Sequence, residues 1–334
     1  MNVSISRAIA VAAFFAIAGC GGATQTSFSP ANSSLSPASR LTVPAGMPPE
    51  LAVPLQHITP AVRSAGYPTN KSLLFESNFT TKMVNIYLTK VLSKNPSPIT
   101  SFAEVSGGCP YDMAFDKKKT LYLVDSCLSQ IEEYPKGSTT LKTTITDGIL
   151  FPLGIAIDKK QTLYVSCSDP AQIQEYANGS TSPTKTVSGG GMSEPFGLSF
   201  DSKGNLYIAD FGAAAVFELP AGGSSVTNLN LQGLDEPLGT AVDQKTRLLW
   251  VTDGSGNKIN VYKIGGSTSP LESIAGNGFP YSVSIQNHGK PRGTAVEGDG
   301  SSDSVYAFHS GSYTPYATLT NQTGNPAGVL ISEP

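Results

Sequence analysis

The stretch Pro152-Leu153-Gly154-Ile155-Ala156-Ile157-Asp158, followed by Thr162-Leu163-Tyr164-Val165, returns in variant form along most of the chain. Six segments share its pattern of a proline and an alternating apolar run, and four of them end in an aspartate. They begin at Pro110, Pro152, Pro195, Pro237, Pro280 and Pro326. These prolines lie 42, 43, 42, 43 and 46 residues apart, and a period of this length is typical of a propeller or another repeat array.

Each repeat has the pattern of four short strands. The run after the proline predicts a first strand, and a Leu-aromatic-Val segment beyond the aspartate turn predicts a second strand that returns beside it. Third strands are predicted to end in a large residue at Tyr134, Tyr176, Leu219, Tyr262 and Tyr306. Segments such as Thr184-Lys185-Thr186-Val187 suggest a fourth strand. Four antiparallel strands per repeat make one propeller blade.

The two ends of the repeat region complete each other. Ser72-Leu73-Leu74-Phe75 and Val84-Asn85-Ile86-Tyr87 match a second and a third strand without a first strand before them, whereas Pro326 begins a first strand with nothing after it. We therefore predict an all-β fold, a six-bladed β-propeller of four-stranded antiparallel blades. Its C-terminal strand is expected to pair with the N-terminal blade as the innermost strand, which would remove free sheet edges.

The composition agrees with one closed repeat unit over residues 71–334. The 334 residues include 34 glycines and 24 prolines, which suits short strands joined by tight turns. Charged residues make up 14% and the net charge is −3, so no basic face for nucleic acid is indicated. We expect a monomer.

Residues 1–19 have the pattern of a signal peptide. Arg7 precedes an apolar run over residues 8–18, and Ile17-Ala18-Gly19-Cys20 supplies small residues at a cleavage site. These four residues resemble the lipobox of bacterial lipoproteins, which implies that Cys20 becomes the lipid-modified first residue of the mature protein. An ordinary cleaved signal with an incidental cysteine is the alternative. Because Gly21 and Gly22 follow instead of an aspartate, the resemblance favours the outer membrane of a diderm cell envelope.

Residues 20–70 read as a lipidated flexible tether. They are rich in Ser, Pro, Ala and Thr and poor in aromatic residues, so they cannot bury enough apolar surface to offset the entropy cost of ordering. Proline-rich stretches make such a spacer semi-extended. Its expected task is to hold the propeller away from a lipid surface.

The repeat motifs resemble those of NHL-type propellers, a group similar in sequence to streptogramin lyase and gluconolactonase-like propellers. The resemblance covers residues 71–334 and is carried by the Pro-x-Gly-Ile-Ala-x-Asp and Leu-Tyr-Val segments quoted above. It implies the six-bladed fold. It does not choose a function, because such propellers include enzymes and binding scaffolds.

Three cysteines lie in the repeat region, where an extracytoplasmic location permits disulfides. Cys109 and Cys127 each lie nine residues from Lys118 at the centre of a hairpin turn, so we predict a bridge between them. A bridge from Cys127 to Cys167, two unpaired residues, and a three-cysteine metal site are the alternatives.

One residue in each second strand serves as a landmark, namely Tyr122, Tyr164, Tyr207, Trp250 and Thr294, and acidic residues recur three positions after it. The residues at this position are Asp125, Cys167, Asp210, Asp253 and Glu297, with Ser77 as the counterpart in the first repeat. One interpretation is that each carboxylate accepts backbone N–H groups in its own turn. The other is a ring of acids that converges on a cation, with calcium as the expected ion.

The residue after each proline is expected at the mouth of the central channel. Around the ring these residues are Tyr111, Leu153, Phe196, Leu238, Tyr281 and Ala327, so aromatic and aliphatic side chains alternate. Asp112 is the one charged residue at the next position. The arrangement either forms a mouth that grips a small, partly apolar ligand or fills the channel as a plug.

The candidate residues at the channel mouth and after the second strands lead to a prediction of function. We expect a membrane-anchored extracytoplasmic lipoprotein, a non-catalytic module that binds a small molecule or an envelope protein through Tyr111, Asp112, Phe196, Asp210, Asp253 and Tyr281. We expect no catalytic residue, no metal and no cofactor. The positions of the histidines argue against a streptogramin-type lyase. His57, His288 and His309 are expected to lie away from the prolines that begin the first strands. The alternative is a lactonase-like hydrolase or streptogramin-like lyase with a divalent cation held by Asp112, Asp210 and Asp253.

Overall fold

The computed structural model describes residues 66–103, 107–276, 278–287, 295–299, 304–320 and 324–332. The predicted signal peptide, Cys20 and the tether up to residue 65 lie outside these residues, as do His57 and His288, and the expectations about them stay predictions. No helix within the described ranges is long and apolar enough to cross a membrane.

The described residues form six four-stranded antiparallel sheets. The chain starts with β1 (Leu73–Asn78), β2 (Met83–Leu88), a short 3-10 helix (Thr89–Lys94) and β3 (Thr100–Ala103). Five sheets with consecutive strands follow. They comprise β4 to β7 (Pro110–Phe115, Leu121–Asp125, Gln130–Tyr134, Thr143–Ile145), β8 to β11 (Pro152–Ile157, Leu163–Ser168, Ala171–Tyr176, Lys185–Ser188), β12 to β15 (Pro195–Phe200, Leu206–Asp210, Ala215–Leu219, Thr227–Asn228), β16 to β19 (Pro237–Asp243, Leu248–Asp253, Lys258–Lys263, Glu272–Ala275) and β20 to β23 (Pro280–Ile285, Ala295–Asp299, Ser304–Phe308, Pro315–Leu319).

The remaining sheet joins the two ends of the described chain. Its last strand is β24 (Pro326–Ser332), and the order is β24, β1, β2, β3. β24 and β1 are antiparallel, with Leu73 opposite Ser332 and Asn78 opposite Pro326. Each sheet is named below after its strand that begins at a repeat proline, which gives the β24, β4, β8, β12, β16 and β20 sheets. The prediction of an all-β propeller with four-stranded antiparallel blades is confirmed.

The aspartate turns form as the sequence predicts. Asp116 Oδ1 accepts the Thr120 N–H at 2.7 Å, and Asp158 Oδ1 accepts the Thr162 N–H at 2.8 Å. In four sheets the residue just before the end of this turn adopts a left-handed backbone. These residues are Lys119, Gln161, Gly204 and Arg247, with φ of 65°, 69°, 91° and 57°. The carboxylate therefore replaces the backbone hydrogen bonds that the tight turn cannot make.

Neighbouring sheets pack face to face through apolar side chains. Phe75 of β1 is fully buried against Leu121 and Leu123 of β5, and its ring meets Phe115 edge-on at 5.1 Å. Between the β16 and β20 sheets, Trp250 packs on Phe308. The alternation of apolar residues along each strand thus supplies both faces of a blade, which is why the repeats need one another to bury their surfaces.

The predicted register of the last repeat is wrong by two residues. Asp299, not Glu297, lies opposite Pro280. Phe308, not Tyr306, is the counterpart of Tyr262, because Phe308 pairs with Ala295 as Tyr262 pairs with Leu249. The connection 286–294 is longer than the corresponding turn 116–120, and this extra length displaces the landmark.

The strand register also corrects the predicted position of the acid in the first repeat. Asn78, not Ser77, pairs with the proline that opens β24. Ser77 lies one position earlier, and its different role is described below.

Candidate ligand site in the central channel

The strands that begin at the repeat prolines surround a cavity of about 320 Å³. All six of them, β4, β8, β12, β16, β20 and β24, contribute lining residues. The predicted ring positions belong to this lining, because Tyr111, Phe196 and Tyr281 are all part of it. A cavity of this size lies at the lower end of the range for small-molecule sites.

One end of the cavity is closed by the residues that follow the prolines. Tyr111 and Phe196 are 9% and 2% exposed, and Leu238 is 1% exposed. The Tyr111 ring meets Phe196 at 6.1 Å and Tyr281 at 6.4 Å between centroids, in edge-on arrangements. Such edge-on contacts are favourable for aromatic pairs. The three rings, of which Tyr281 is partly exposed, therefore form an aromatic plug at this end of the cavity.

A second layer of aromatic residues supports the plug. Phe79 lies 6.1 Å from Tyr111, Phe211 lies 5.9 Å from Phe196, and Phe279 lies 5.0 Å from Tyr281. The Lys82 ammonium lies 4.2 Å from the centroid of the Phe79 ring. Each plug residue thus has its own aromatic neighbour, which limits the rotation of its ring.

Hydroxyl groups fix the backbone of the plug. Ser166 Oγ accepts the Gly154 N–H at 2.8 Å and donates to the Phe196 carbonyl at 2.6 Å. Thr252 repeats this pattern with the Gly239 N–H at 2.8 Å and the Tyr281 carbonyl at 3.0 Å. Ser77 repeats it with the Gly328 N–H and the Tyr111 carbonyl. Each hydroxyl therefore links the innermost strand of its own sheet to the plug residue of the next sheet.

Glycine is required beside each hydroxyl because the neighbouring backbone comes close. A Cβ added at Gly154 would lie 2.1 Å from the Phe196 carbonyl oxygen, and one at Gly328 would lie 2.1 Å from the Tyr111 carbonyl oxygen. At Gly239 the Tyr281 carbonyl oxygen would be 2.9 Å away. Two kinds of sheet therefore alternate in the order β24, β4, β8, β12, β16 and β20. The β24, β8 and β16 sheets supply glycine and hydroxyl, and the β4, β12 and β20 sheets supply the aromatic residue.

Asp112 lies directly beneath the plug. It is the one charged side chain among the cavity-lining residues that the structure describes. Its Oδ1 accepts the Met113 N–H at 2.8 Å, and its Oδ2 accepts the Ile155 N–H of the neighbouring sheet at 3.0 Å. Desolvation by burial raises the pKa of this carboxyl to about 7, although both hydrogen bonds act in the opposite direction.

The opposite end of the cavity is open. Five lining residues at or near the ends of the innermost strands are partly exposed there, whereas most residues of the closed end are buried. These lining residues are Phe115, Ile157, Phe200, Ile285 and Leu330. Asn287 secures part of this rim, since its Nδ2 donates to the Val242 carbonyl at 2.9 Å. A ligand would therefore enter from the side of the aspartate turns.

The walls between the two ends carry neutral polar groups. Ser199 Oγ donates to Thr240 Oγ1 at 2.9 Å, and Ser284 Oγ accepts the Ile331 N–H at 3.1 Å. Ser282 is the counterpart of Asp112 in the β20 strand, and its Oγ is buried without a hydrogen-bond partner. The cavity thus combines one carboxyl group with hydroxyls and apolar surface.

Asp210 and Asp253 are not brought to the cavity. Both are fully buried. Asp210 accepts the N–H groups of Ser193, Glu194 and Ala213, all at 2.9 Å. Asp253 accepts those of Asp235, Glu236 and Gly256 at 2.9, 2.8 and 3.1 Å. Asp125 behaves similarly with Cys109 and Leu128. These contacts tie the turn after the second strand to the loop before the first strand.

A converging cluster of acids is not seen in the described parts of the chain. Within those ranges no group of three or more His, Cys, Asp or Glu side chains is arranged to hold a metal ion. The observed contacts of Asp210 and Asp253 match the interpretation in which carboxylates accept N–H groups in their own turns. Their proposed ligand contacts stay predictions.

The predicted disulfide between Cys109 and Cys127 is present, with a Cα–Cα distance of 5.2 Å. Cys109 directly precedes β4, which carries Tyr111 and Asp112, and Cys127 follows the end of β5. Cys167 is a buried free thiol at the position that Asp125 occupies in the preceding sheet. Burial raises the pKa of this thiol. His309 stacks on Tyr316 at 3.9 Å and takes no part in the cavity.

Comparison with known proteins supports the fold and leaves the family open. A chain in the crystal structure of the nidogen/laminin complex superimposes with a TM-score of 0.65 at 20% sequence identity, over 78% of this chain and 98% of that chain. At this identity the likeness concerns the fold. No protein-family model and no curated protein sequence matches the chain.

Proposed function

We propose that the protein is a non-catalytic binding module, an NHL-like six-bladed propeller that takes a small ligand into its central channel. The observation that carries this proposal is the cavity of about 320 Å³ that is closed by the aromatic plug at one end, open at the other and lined by all six innermost strands. A preformed concave site with few polar groups is what a small-molecule site requires.

Contacts between the innermost strands support a closed ring of six blades. Each of these strands contacts the next, from β4 through β8, β12, β16 and β20 to β24, and β24 also contacts β4. With β1 hydrogen-bonded to β24, the last blade is made from both ends of the repeat region. A closed ring keeps the channel walls at fixed distances, which preorganises the site.

The place of action in this proposal is the cell envelope. The signal pattern of residues 1–19 and the lipobox-like segment that ends at Cys20 support a lipid anchor, with the outer membrane favoured, and residues 20–70 would serve as the tether. The Cys109–Cys127 bridge agrees with an oxidising compartment. Incorporation of a labelled fatty acid into the protein, lost in Cys20→Ala, tests the anchor.

The non-catalytic role rests on how the candidate acids are used. Asp210 and Asp253 hold turns together instead of facing the cavity, which leaves Asp112 as the one acid among the described cavity-lining residues. The alternative, a cation-dependent hydrolase or lyase, makes a distinct prediction. Calcium should then raise the unfolding temperature by mass action, and Asp112→Ala should abolish the rise.

A cavity-filling variant tests the binding function. Ser199 lines the cavity, and Ser182 is exposed on an outer loop. Ser199→Phe should abolish the rise in unfolding temperature that small molecules from a screening panel cause, because the new ring occupies the channel. Ser182→Phe makes the same chemical change elsewhere and should keep that rise. Equal ligand responses in the two variants, both folded by circular dichroism, would place binding outside the channel and overturn the proposal.

A further inference from the structure

We propose that the channel ligand carries a protonated amino group, held by the Asp112 carboxylate beneath the aromatic plug, on a small apolar body that extends toward the open end. This inference rests on the proposed function and adds the chemical class of the ligand. It follows from the position of one acid in a cavity whose described lining is otherwise uncharged.

The charge of the cavity lining favours a cationic ligand. No lysine or arginine is among the cavity-lining residues that the structure describes, and Asp112 is the one acid. An anionic ligand would meet a like charge in a partly desolvated space, whereas a cation gains a partner. Opposite charges attract more strongly in such a space than in water, because the effective dielectric constant is lower.

The geometry of the Asp112 carboxylate also favours an ammonium group. Each oxygen already accepts one backbone N–H, from Met113 and from Ile155, so the side chain is held in place by two neighbouring strands. An ionised carboxylate has about four acceptor sites, so acceptor capacity remains on both oxygens. An ammonium group, which has only donors, fits this remaining capacity.

The surroundings of Asp112 complete a site for an ammonium group. Tyr111, Phe196 and Tyr281 provide aromatic rings at the closed end, and aromatic faces attract cations within about 6 Å. Ser282 Oγ lies at the equivalent position of the β20 strand and is buried without a hydrogen-bond partner. It can accept an N–H from an amine held at this level.

The rest of the cavity selects the body of the ligand. Toward the open end the lining is mainly aliphatic and aromatic, as at Ile157, Phe200 and Leu330. The volume of about 320 Å³ limits the body to a short chain or one ring. A small amphiphilic amine therefore suits the channel better than a sugar or a nucleotide, which need more polar partners.

Binding should depend on pH, because the acid must be ionised to hold a cation. Burial raises the pKa of Asp112 to about 7. The other titratable lining residues are Tyr111 and Tyr281, both with a raised pKa, so they stay neutral. The flanking strands β8 and β24 add no titratable side chain to the lining. Affinity for an alkylammonium should therefore rise between about pH 6 and 8, since such amines stay protonated there.

Calorimetric titration of the purified protein with 2-phenylethylammonium chloride tests the inference, with 2-phenylethanol as the neutral probe of similar shape. We expect the ammonium probe to bind at least tenfold more tightly at pH 8. Asp112→Asn should remove this preference and leave the affinity for 2-phenylethanol within about twofold. Asp112→Gly is a second variant that tolerates the local backbone, because Gly154 and Gly197 occupy the equivalent positions.

The outcomes separate the two proposals. Equal affinity for both probes, or an ammonium preference that survives in Asp112→Asn, would overturn the amine class. If 2-phenylethanol still binds and Ser199→Phe abolishes that binding, the channel remains a ligand site for neutral molecules. No heat of binding from the ammonium probe at millimolar concentration would also overturn the amine class.

Discussion

The two ends of the channel differ in how often their structural pattern recurs from one sheet to the next. At the open end, the aspartate turns repeat in four consecutive sheets, at Asp116, Asp158, Asp201 and Asp243. At the closed end, the pattern repeats once every two sheets, because aromatic residues alternate with glycine and hydroxyl pairs. The repeat therefore specifies the blades, whereas departures from the repeat specify the channel. The closed end should therefore be far more sensitive to substitution than the open end.

The largest expected effect concerns Asp112, which lies beneath the plug at the closed end. Its folded pKa of about 7 lies above the unfolded value of about 3.9, so the folded state binds the proton more tightly. The stabilising effect of protonation is present below about pH 4 and is lost as pH rises to about 7. At about 1.4 kcal/mol per pKa unit, the loss is at most about 4 kcal/mol.

Urea unfolding of the protein and of Asp112→Asn between pH 4 and 8 measures this effect. Because the amide cannot ionise, the variant should gain free energy of unfolding relative to the parent protein as pH rises. Parallel pH profiles would contradict the raised pKa. Glu76, whose pKa burial also raises to about 7, keeps the same contribution in both proteins and cancels in the difference.

Gly154→Ala should have the next largest effect, because its Cβ would lie 2.1 Å from the Phe196 carbonyl oxygen at the closed end. We expect a loss of about 3 kcal/mol in urea unfolding, at the upper end of overpacking costs. Gly298→Ala is the control, since its Cβ would meet neighbours no closer than 3.2 Å. Similar losses for the two variants would show that the close approach at Gly154 relaxes without cost.

The smallest expected effect is the difference in unfolding free energy between two serine-to-alanine variants. Ser166→Ala leaves a buried N–H and a buried carbonyl without their shared partner, and we expect it to lose about 2 kcal/mol of unfolding free energy. Ser199→Ala removes one bond in the wall nearer the open end and should lose less than about 1 kcal/mol. If chemical denaturation ranks them in the opposite order, the hydroxyl links do not hold the plug.

The sequence predicts the blades well because their signals are local. The spacing of the prolines and the aspartate turns depends on neighbouring residues alone, and the pairing of Cys109 with Cys127 follows from one hairpin. The register of the last sheet could not be predicted, because the longer connection before β21 displaces the landmark by two residues.

The site was harder to predict because it depends on contacts between sheets. Side-chain direction near the prolines changes at a bulge, such as that between Pro110 and Met113, and a bulge re-aims the residues within it. Asp112 and Asp210 therefore looked equivalent as acids near one face, although one faces the cavity and the other holds a turn. Ser166 and Thr252 carried a signal that was missed, since each precedes the acid position in alternate repeats.

The pairing of β24 with β1 also bears on the order of the polypeptide. Leu73 lies directly opposite Ser332, so the two ends of the repeat region are neighbours in space. A short linker could join them, and the chain could then be opened at the exposed loop around residues 178–182. Such a circular permutant would contain the same strand pairs, hydroxyl links and aromatic plug in a different covalent order, because these features depend on contacts between strands and not on where the polypeptide begins.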